Sequence, residues 1–346
     1  MKKRILIAPL NWGLGHATRC IPIINSLLHF GYEPVIASDG AALNYLKKEF
    51  PKLTFITLPS YNITYPERGS FKWHLFRAFP RIINTIKKER AVIEKIIDSE
   101  RINGIISDNR FGVYSKKVPC VYLTHQLNVL SGNTTWWSSK WHQRVIRNYD
   151  ECWVPDNQNN KLSGTLAVGT GTSTKIKYIG PLSRLEKQKS IKHNELLVLL
   201  SGPEPQRTAF EKMILSQLHN FDKSAVVVRG VIEPKQLTTV TKKIKIYNYM
   251  TTNELALTIN KSRLILARSG YSTIMDLAKL GEKAFFVPTP GQYEQEYLAK
   301  HLEALQIAPF CAQKEFELNK LNDVNAYTGF ENIAFPKLNE DLFRLF

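Results

Sequence analysis

Ala267-Arg268-Ser269-Gly270-Tyr271-Ser272-Thr273-Ile274-Met275-Asp276-Leu277 is the stretch on which the reading of this chain turns. The apolar run Leu264-Ile265-Leu266 predicts a strand, and it leads into a Ser-Gly turn. Beyond the turn Ile274, Leu277, Ala278 and Leu280 form one apolar stripe, which predicts a helix. Gly270 lets the backbone approach a ligand closely, and the first N–H groups of the helix point at whatever lies there. Asp276, about one and a half turns into the helix, puts a carboxylate within reach of ribose hydroxyls. A second strand–turn unit follows, over Ala284-Phe285-Phe286-Val287 and Pro290-Gly291, with Gln295-Glu296 on the next helix. Together these look like the parts of a nucleotide-sugar pocket.

The same alternation extends outward in both directions. Strands are predicted over 195–200, 225–228, 244–247 and 264–266, and a helix over 206–218. In the first half, strands are predicted over 4–8, 33–37, 53–58, 104–107, 118–124 and 151–154, and helices over 15–29, 41–50 and 71–98. Near-continuous apolar strands between helices imply parallel sheets covered on both faces. A polar stretch over 155–177, then Ile179-Gly180-Pro181-Leu182 and a charged run over 184–192, marks a linker with a hinge at Gly180-Pro181. The expected architecture is α/β. It comprises two Rossmann-like doubly wound domains, 1–179 and 180–346, facing one another across a cleft, with ligands beyond the carboxyl ends of the strands. Residues 339–346 are expected to form a short amphipathic helical fragment.

Composition narrows the function classes. No apolar run reaches the ~18–20 residues that span a bilayer. The four cysteines, Cys20, Cys120, Cys152 and Cys311, are scattered without zinc spacing, which fits buried free thiols in a reducing cytoplasm. Neither a metal site nor a bound cofactor is called for. The net charge of +17 favours anionic partners, but the chain carries no zinc finger, RNP-type aromatic signature or basic zipper, so no specific nucleic-acid partner is indicated. Phe71, Trp73, Phe76 and Phe79 alternate with Lys72, Arg77 and Arg81, and Trp136, Trp137 and Trp141 lie among Lys140, Arg144 and Arg147. Such faces suit either an anionic membrane surface or a helix buried on one side.

The strand-to-helix loop Asn11-Trp12-Gly13-Leu14-Gly15-His16-Ala17-Thr18-Arg19 carries the candidate chemistry. Gly13 and Gly15 make a close-approach turn, and His16 is a candidate general base for a hydroxyl or water near neutral pH. Arg19, one turn on, suits a phosphate or carboxylate. Asp108 ends one strand and His125 follows another, so both point at the same side, to meet an acceptor or assist His16. In the second half Ser201 and Gly202, with Pro203, occupy the equivalent turn, and Arg229 ends the next strand; these are phosphate candidates. Each of these polar residues also has an ordinary explanation as a helix cap, turn or solvated side chain.

The second-half signature resembles the carboxy-terminal domain of family 28 glycosyltransferases, whose best-known member acts on a lipid-linked precursor of the cell wall. The resemblance implies the GT-B fold, a nucleotide-sugar donor, usually UDP-linked, and inversion at the anomeric carbon without a bound metal. It places Arg268, Ser269 and Gly270 by the donor diphosphate and nucleoside. Asp276 matches a family Glu that holds the ribose, and Gln295 and Glu296 match a Gln-Gln pair that reads sugar hydroxyls. His16 matches the candidate base. The acceptor does not carry over; a hydroxyl acceptor, lipid-linked or not, is expected, with the protein cytoplasmic or peripheral on the inner membrane face. Gly13-Leu14-Gly15-His16-Ala17-Thr18-Arg19 also resembles a loop of the nucleotide-sugar hydrolase of pseudaminic acid synthesis, in which the His would activate water. A non-catalytic polyanion- or lipid-binding protein on the same fold is the alternative of another class.

Overall fold

The computed structural model describes residues 2–62, 71–129, 135–158, 162–169, 173–202, 204–330 and 333–346, with backbone only at 71–78. The expectations for Pro203 and for the side chains of Phe71, Lys72, Trp73, Phe76 and Arg77 lie outside the described residues, as does part of the 155–177 stretch. The chain divides into two compact units, each built on its own sheet.

The first unit holds β1 (Arg4–Pro9), α1 (Gly15–His29), β2 (Glu33–Ser38), α2 (Gly40–Glu49), β3 (Thr54–Thr57), α3 (Phe71–Ser99), β4 (Ile102–Asp108), β5 (Cys120–Leu123), α4 (Thr135–Ile146), β6 (Glu151–Val154) and β7 (Lys175–Tyr178). Its sheet is parallel throughout, in the order β3-β2-β1-β4-β5-β6-β7. Successive residues of β1, Ile5 to Ala8, are all fully buried, as expected of a strand covered on both faces. On one face Leu6, Ala8, Val35 and Ile105 pack with Ile93, Ile96 and Ile97 of α3. Strand order reverses between β1 and β4, whose last residues Pro9 and Asp108 stand in register. That switch point is where an open α/β sheet parts its loops and leaves a crevice.

The second unit holds β8 (Asn194–Leu199), α5 (Gln206–Leu218), β9 (Ala225–Val228), β10 (Thr238–Thr241), β11 (Ile244–Tyr247), α6 (Thr252–Asn260), β12 (Ser262–Ala267), α7 (Tyr271–Leu280), β13 (Ala284–Phe286) and α8 (Tyr293–Ala304). The order is β10-β11-β9-β8-β12-β13, parallel except for the β10–β11 hairpin at the edge. The switch point here lies between β8 and β12. α7 ends on Gly281 in the left-handed conformation (φ 71°), a geometry that favours glycine.

Three local outcomes differ from the sequence expectation. The 155–177 stretch contains a 3₁₀ turn (Gly164–Ala167) and ends in the outer strand β7, whose Lys177 pairs with Glu151 of β6 at 2.7 Å. The first unit runs through Leu182 and also takes in residues 335–346, which the sequence assigns to the second domain. That tail folds as a 3₁₀ turn (Glu340–Phe343). Phe343 is buried against Trp153, and Lys3 Nζ donates to the Phe346 carbonyl at 2.5 Å. Phe343 and Phe346 bury enough surface to hold this twelve-residue tail down, each contributing roughly 1.5–3 kcal/mol.

Candidate functional site

The first unit gathers His16, Arg19, Asp108 and His125 into one cluster at its switch point. Gly13 (φ 77°) takes a backbone turn that side-chain-bearing residues rarely adopt, and Gly15 opens α1, so His16 stands in the first helical turn. His16 Nδ1 lies 2.9 Å from Asp108 Oδ1. Arg19, one turn further, donates from Nε to Asp108 Oδ2 at 2.7 Å and from Nη2 to Oδ1, and its Nη1 lies 2.6 Å from His125 Nδ1. Arg19 is a buried tether for Asp108, 2% exposed; of the phosphate or carboxylate expected for it, it holds a carboxylate of its own chain. His125 is likewise buried and held by Arg19.

Asp108 is fully buried. Burial by itself raises a carboxyl, but the Arg19 cation and then His16 outweigh it and hold Asp108 well below the usual carboxylate range. The Cys20 thiol, which donates to Asp108 Oδ2 at 3.5 Å, is pushed well up by burial and by that carboxylate, so it stays protonated. An ionised Asp108 accepts from Nδ1–H of His16, which assigns the proton to Nδ1 and leaves the lone pair on Nε2. His16 Nδ1 also lies 2.9 Å from Arg19 Nη2, whose hydrogen goes to Asp108 Oδ1 on this assignment. The His16 side chain keeps 14% exposure, against 0% for Asp108 and 2% for Arg19. It is therefore the member of the cluster that can meet a reactant.

A second buried network braces the same edge. Arg110 donates to Glu89 Oε1 and Asp39 Oδ1, each at 2.6 Å, and to the Pro59 carbonyl. Tyr61 OH and the Gly112 N–H donate to Glu89 Oε2. Asn11 donates to Asp39 Oδ2 at 3.1 Å and accepts from the Ala42 N–H. The loop carrying His16 is thus tied to the ends of β2 and β4 and to α3. Arg110 follows Asp108 by two residues at the end of β4, and its partners Asp39 and Glu89 come from elements distant in sequence.

In the second unit, three loops meet at the carboxyl edge of β8, β12 and β13. Ser201 and Gly202 follow β8, Ser269 and Gly270 follow β12, and Thr289 to Gln292 follow β13. Gly202 adopts φ 103°, and a Cβ there would stand 3.7 Å from Thr289 Oγ1. Gly270 is the N-cap of α7, whose first turn has no acidic residue and no side-chain cap. Ser269 Oγ donates to the Gln295 carbonyl at 2.8 Å, and Gln295 Oε1 accepts from the Thr289 N–H at 2.8 Å. Glu296 Oε1 accepts from the Gly291 N–H at 3.0 Å. Gln295 and Glu296 thus hold the β13 loop in shape. The buried polar atoms Thr289 Oγ1 and Gln292 Oε1 have no hydrogen-bond partner among the described residues, and neither residue is among the sequence candidates. The Pro-Thr-Pro-Gly turn that carries Thr289 was the available signal.

Three sequence candidates in this unit are turned away from that edge or already engaged. The Arg268 guanidinium points inward, fully buried, and donates to the Val287 and Pro288 carbonyls at 3.0 and 2.9 Å. Its side chain thus braces the loop after β13 from within, while its backbone leads into the Ser269-Gly270 turn. Asp276 accepts from Ser183 Oγ at 2.6 Å, with Arg184 Nε 3.9 Å away, so the start of the second unit occupies the carboxylate expected at a ribose. Burial raises the Asp276 carboxyl, and Arg184 works against that rise. Arg229 donates to Glu211 Oε1 at 2.6 Å; Glu211 also pairs with Arg207, which in turn pairs with Glu204. Among the described residues, no group of three or more His, Cys, Asp or Glu is placed to hold a metal.

Residues 203–327 match the glycosyltransferase family 28 C-terminal domain. The second unit belongs to glycosyltransferase family 28. Over a wider span, the chain is 21% identical to an uncharacterized glycosyltransferase of Methanosarcina mazei, over 87% of this chain and 83% of the relative. It is 22% identical to the UDP-N-acetylglucosamine–N-acetylmuramyl-(pentapeptide) pyrophosphoryl-undecaprenol N-acetylglucosamine transferase of Rickettsia akari, over 98% and 92%. Among solved structures, the spinosyn rhamnosyltransferase SpnG superposes with a TM-score of 0.63 at 15% identity, over 94% of this chain and 93% of that one. MurG of Acinetobacter baumannii superposes with a TM-score of 0.55 at 13% identity, over 95% and 93%. The two Rossmann-type sheets are those of the GT-B fold. The loops after β12 and β13, with Gly270 and Thr289, lie within the matched residues, and Gly202 lies just before them.

Proposed function

We propose that this family 28 protein is an inverting glycosyltransferase. It moves a sugar from a UDP- or TDP-linked donor to an acceptor hydroxyl, with His16 as general base. The observation that carries the reading is the pairing of partly exposed His16 with buried, ionised Asp108 at the switch point of the first unit. His16 Nε2 takes the proton of the attacking hydroxyl, the oxygen bonds to the anomeric carbon, and the bond to the nucleoside diphosphate breaks. Asp108 fixes the tautomer and stabilises the imidazolium that forms. The donor is held by the second unit, with its diphosphate at Gly202, Gly270 and the N-terminus of α7, where amides and the helix dipole stabilise the leaving charge. Ser201, Thr289 and Glu296 line the same edge and meet the nucleoside or sugar hydroxyls. The Rickettsia relative acts on an undecaprenol-linked acceptor, and the SpnG structure has a form complexed with thymidine diphosphate. Both donor bases therefore belong in the screen.

A lipid-linked acceptor would bring the first unit to a membrane. Trp136 and Trp137 are 57% and 68% exposed at the start of α4, and Lys140 Nζ lies 4.0 Å over the Trp136 ring. Exposed indoles beside cations suit the headgroup layer. Among the described residues, no helix is long and apolar enough to cross a bilayer.

The test is release of UDP or dTDP from a panel of nucleotide sugars, with and without hydroxyl acceptors, by wild type and His16→Ala. Acceptor-dependent release that falls about 10²–10⁴-fold in the variant is the expected result. Equal release without acceptor would make the protein a hydrolase, because the same dyad activates water. Release from no donor, with no thermal stabilisation by any nucleotide, would sink both readings.

A further inference from the structure

Asp39 stands at the N-cap of α2, where an aspartate ordinarily accepts from amides of the first turn. Among the described residues its side chain makes no such bond to α2. Its Oδ1 accepts instead from buried Arg110, at 2.6 Å, and its Oδ2 from the amide of Asn11, at 3.1 Å. The cap comes from a different part of the chain. Asn11 Oδ1 accepts from the N–H of Ala42, the third residue of the helix, at 3.2 Å. Gly40 completes the seat: it takes φ 52°, and a Cβ there would overlap the Asn11 amide group. The Asn11 side chain thus fills a fitted slot, with its donor and its acceptor both engaged.

Asn11 opens the loop that leads to His16. Just before it, the Leu10 N–H donates to the Asp108 carbonyl at 2.9 Å, so the chain leaves the sheet beside the acid of the dyad. Just after it, Trp12 packs with Leu10, Tyr61, Ile82 and Phe111. Then come Gly13, Leu14 and Gly15, and two glycines in three residues leave the backbone many conformations. The far end of this segment is the first turn of α1, which carries His16. An Asp39 that capped its own helix would satisfy α2 equally and leave the loop without this anchor. The exchange of partners therefore serves the loop.

We infer that Asn11 is a positioning residue for the reaction: seated on α2 by Asp39 and Gly40, it sets the place of the glycine loop and so holds His16 in register with Asp108 and with the attacking hydroxyl. This rests on the reading of His16 as the base. Arg110 stands behind Asp39 and makes the seat rigid. A reacting group displaced by about 1 Å loses on the order of 10²-fold in rate, so an anchor five residues away governs turnover without touching a substrate.

The test is an exchange of groups. Asn11→Asp keeps an acceptor for Ala42 but sets a second carboxylate against Asp39. Adding Asp39→Asn restores one amide and one charge with their places exchanged, and the new amide still accepts from Arg110. Gly40→Ala crowds the same seat without changing any charge. The readouts are kcat, affinity for UDP or dTDP, the thermal midpoint, and the ¹⁵N spectrum of the His16 ring at about pH 8, where an ordinary imidazole is neutral. Asn11→Asp and Gly40→Ala should each lower kcat roughly 100-fold, leave nucleotide affinity within about twofold, and lose the Nδ1–H signature of His16. The exchanged pair should regain the signature and most of kcat. Asn11→Asp with kcat within threefold of wild type and the signature intact would overturn the inference. An exchanged pair that recovers the midpoint but not kcat would overturn it too, leaving Asn11 a stabilising contact only. A wild type that turns over no nucleotide sugar removes the proposed reaction, and the spectra then decide alone. A signature lost in Asn11→Asp and regained in the exchanged pair supports the anchor, and one that never changes overturns it.

Discussion

Asp108→Asn is the substitution on which the first-unit chemistry stands or falls. The change keeps side-chain volume but removes the charge that faces Arg19 and His16. Both Asp108 and Arg19 are buried, at 0% and 2% exposure, so solvent does little to soften the loss. Two unit charges about 4 Å apart at an effective dielectric near 20 attract by about 4 kcal/mol. Mutational experience with broken buried pairs gives about 3–5 kcal/mol. The variant amide can still accept one hydrogen bond from Arg19, so the lower end, about 3 kcal/mol, is expected. Urea unfolding followed by tryptophan fluorescence at pH 7.5 measures it.

Activity should fall further than stability explains. Without an ionised acceptor, His16 Nδ1 no longer has to carry the proton, and the productive tautomer is lost, for a decrease in kcat of about 10²–10⁴. Arg19→Met combined with Asp108→Asn separates the two effects. Removing the orphaned cation should recover a kilocalorie or more of stability relative to Asp108→Asn, yet restore no activity. The folded-state depression of Asp108 also sets a pH signature: its stabilisation is complete above the unfolded value near 3.9 and is lost only as pH falls through the lower folded value. The stability gap between wild type and variant should therefore narrow only in that acid range. A single variant within 1 kcal/mol of wild type, or within threefold in kcat, would refute the dyad.

Other consequences are checked by the same unfolding assay. His142 is buried and neutral, bonded to Tyr122 OH at 3.0 Å, and burial pushes it down to about 4. Stability should thus drop by about 3 kcal/mol as pH falls from 6.5 to 4, at ~1.4 kcal/mol per pKa unit, and His142→Gln should flatten that slope. Arg110→Met leaves Glu89 and Asp39 without their cation and should cost about 3–5 kcal/mol. Gly13→Ala meets no steric neighbour but forces a φ of 77°, so it should cost about 1–2 kcal/mol and slow catalysis by shifting His16. Trp136→Ser with Trp137→Ser should abolish co-sedimentation with vesicles of anionic lipid while leaving the thermal midpoint within about 2 °C, as expected for exposed positions.

Much of the architecture is legible in the sequence, because periodicity is local. Helices α1 and α5 and strands β6, β9 and β11 begin and end where the apolar pattern does. What escaped was weakly patterned. Strand β7, Lys175-Ile176-Lys177-Tyr178, has only two apolar residues and sits at the sheet edge. Helix α6 went unread although Thr251 and Glu254 form a capping box at its start, with the Thr251 N–H donating to Glu254 at 2.9 Å. The tail at 335–346 packs on the first unit because Phe343 and Phe346 meet Trp153, a contact between residues almost two hundred positions apart.

The site was legible in its positions and less so in its roles. A charged residue at the carboxyl end of a strand meets either a ligand or another charge of the same chain, and sequence spacing does not distinguish the two. Arg19 meets Asp108 across 89 residues, and Asp276 meets Ser183 across 93. Such pairings depend on which loops the topology brings to one edge. Once Arg19, Arg110, Arg207 and Arg229 are matched to their carboxylates, two groups stand out. His16 is partly exposed with its Nδ1 fixed by Asp108, and Arg268 is buried with no carboxylate partner among the described residues. The first has an open ring nitrogen, which the proposed proton transfer needs. The second spends its donors on the carbonyls of Val287 and Pro288 and on Gln313, and so holds the loop after β13 in shape.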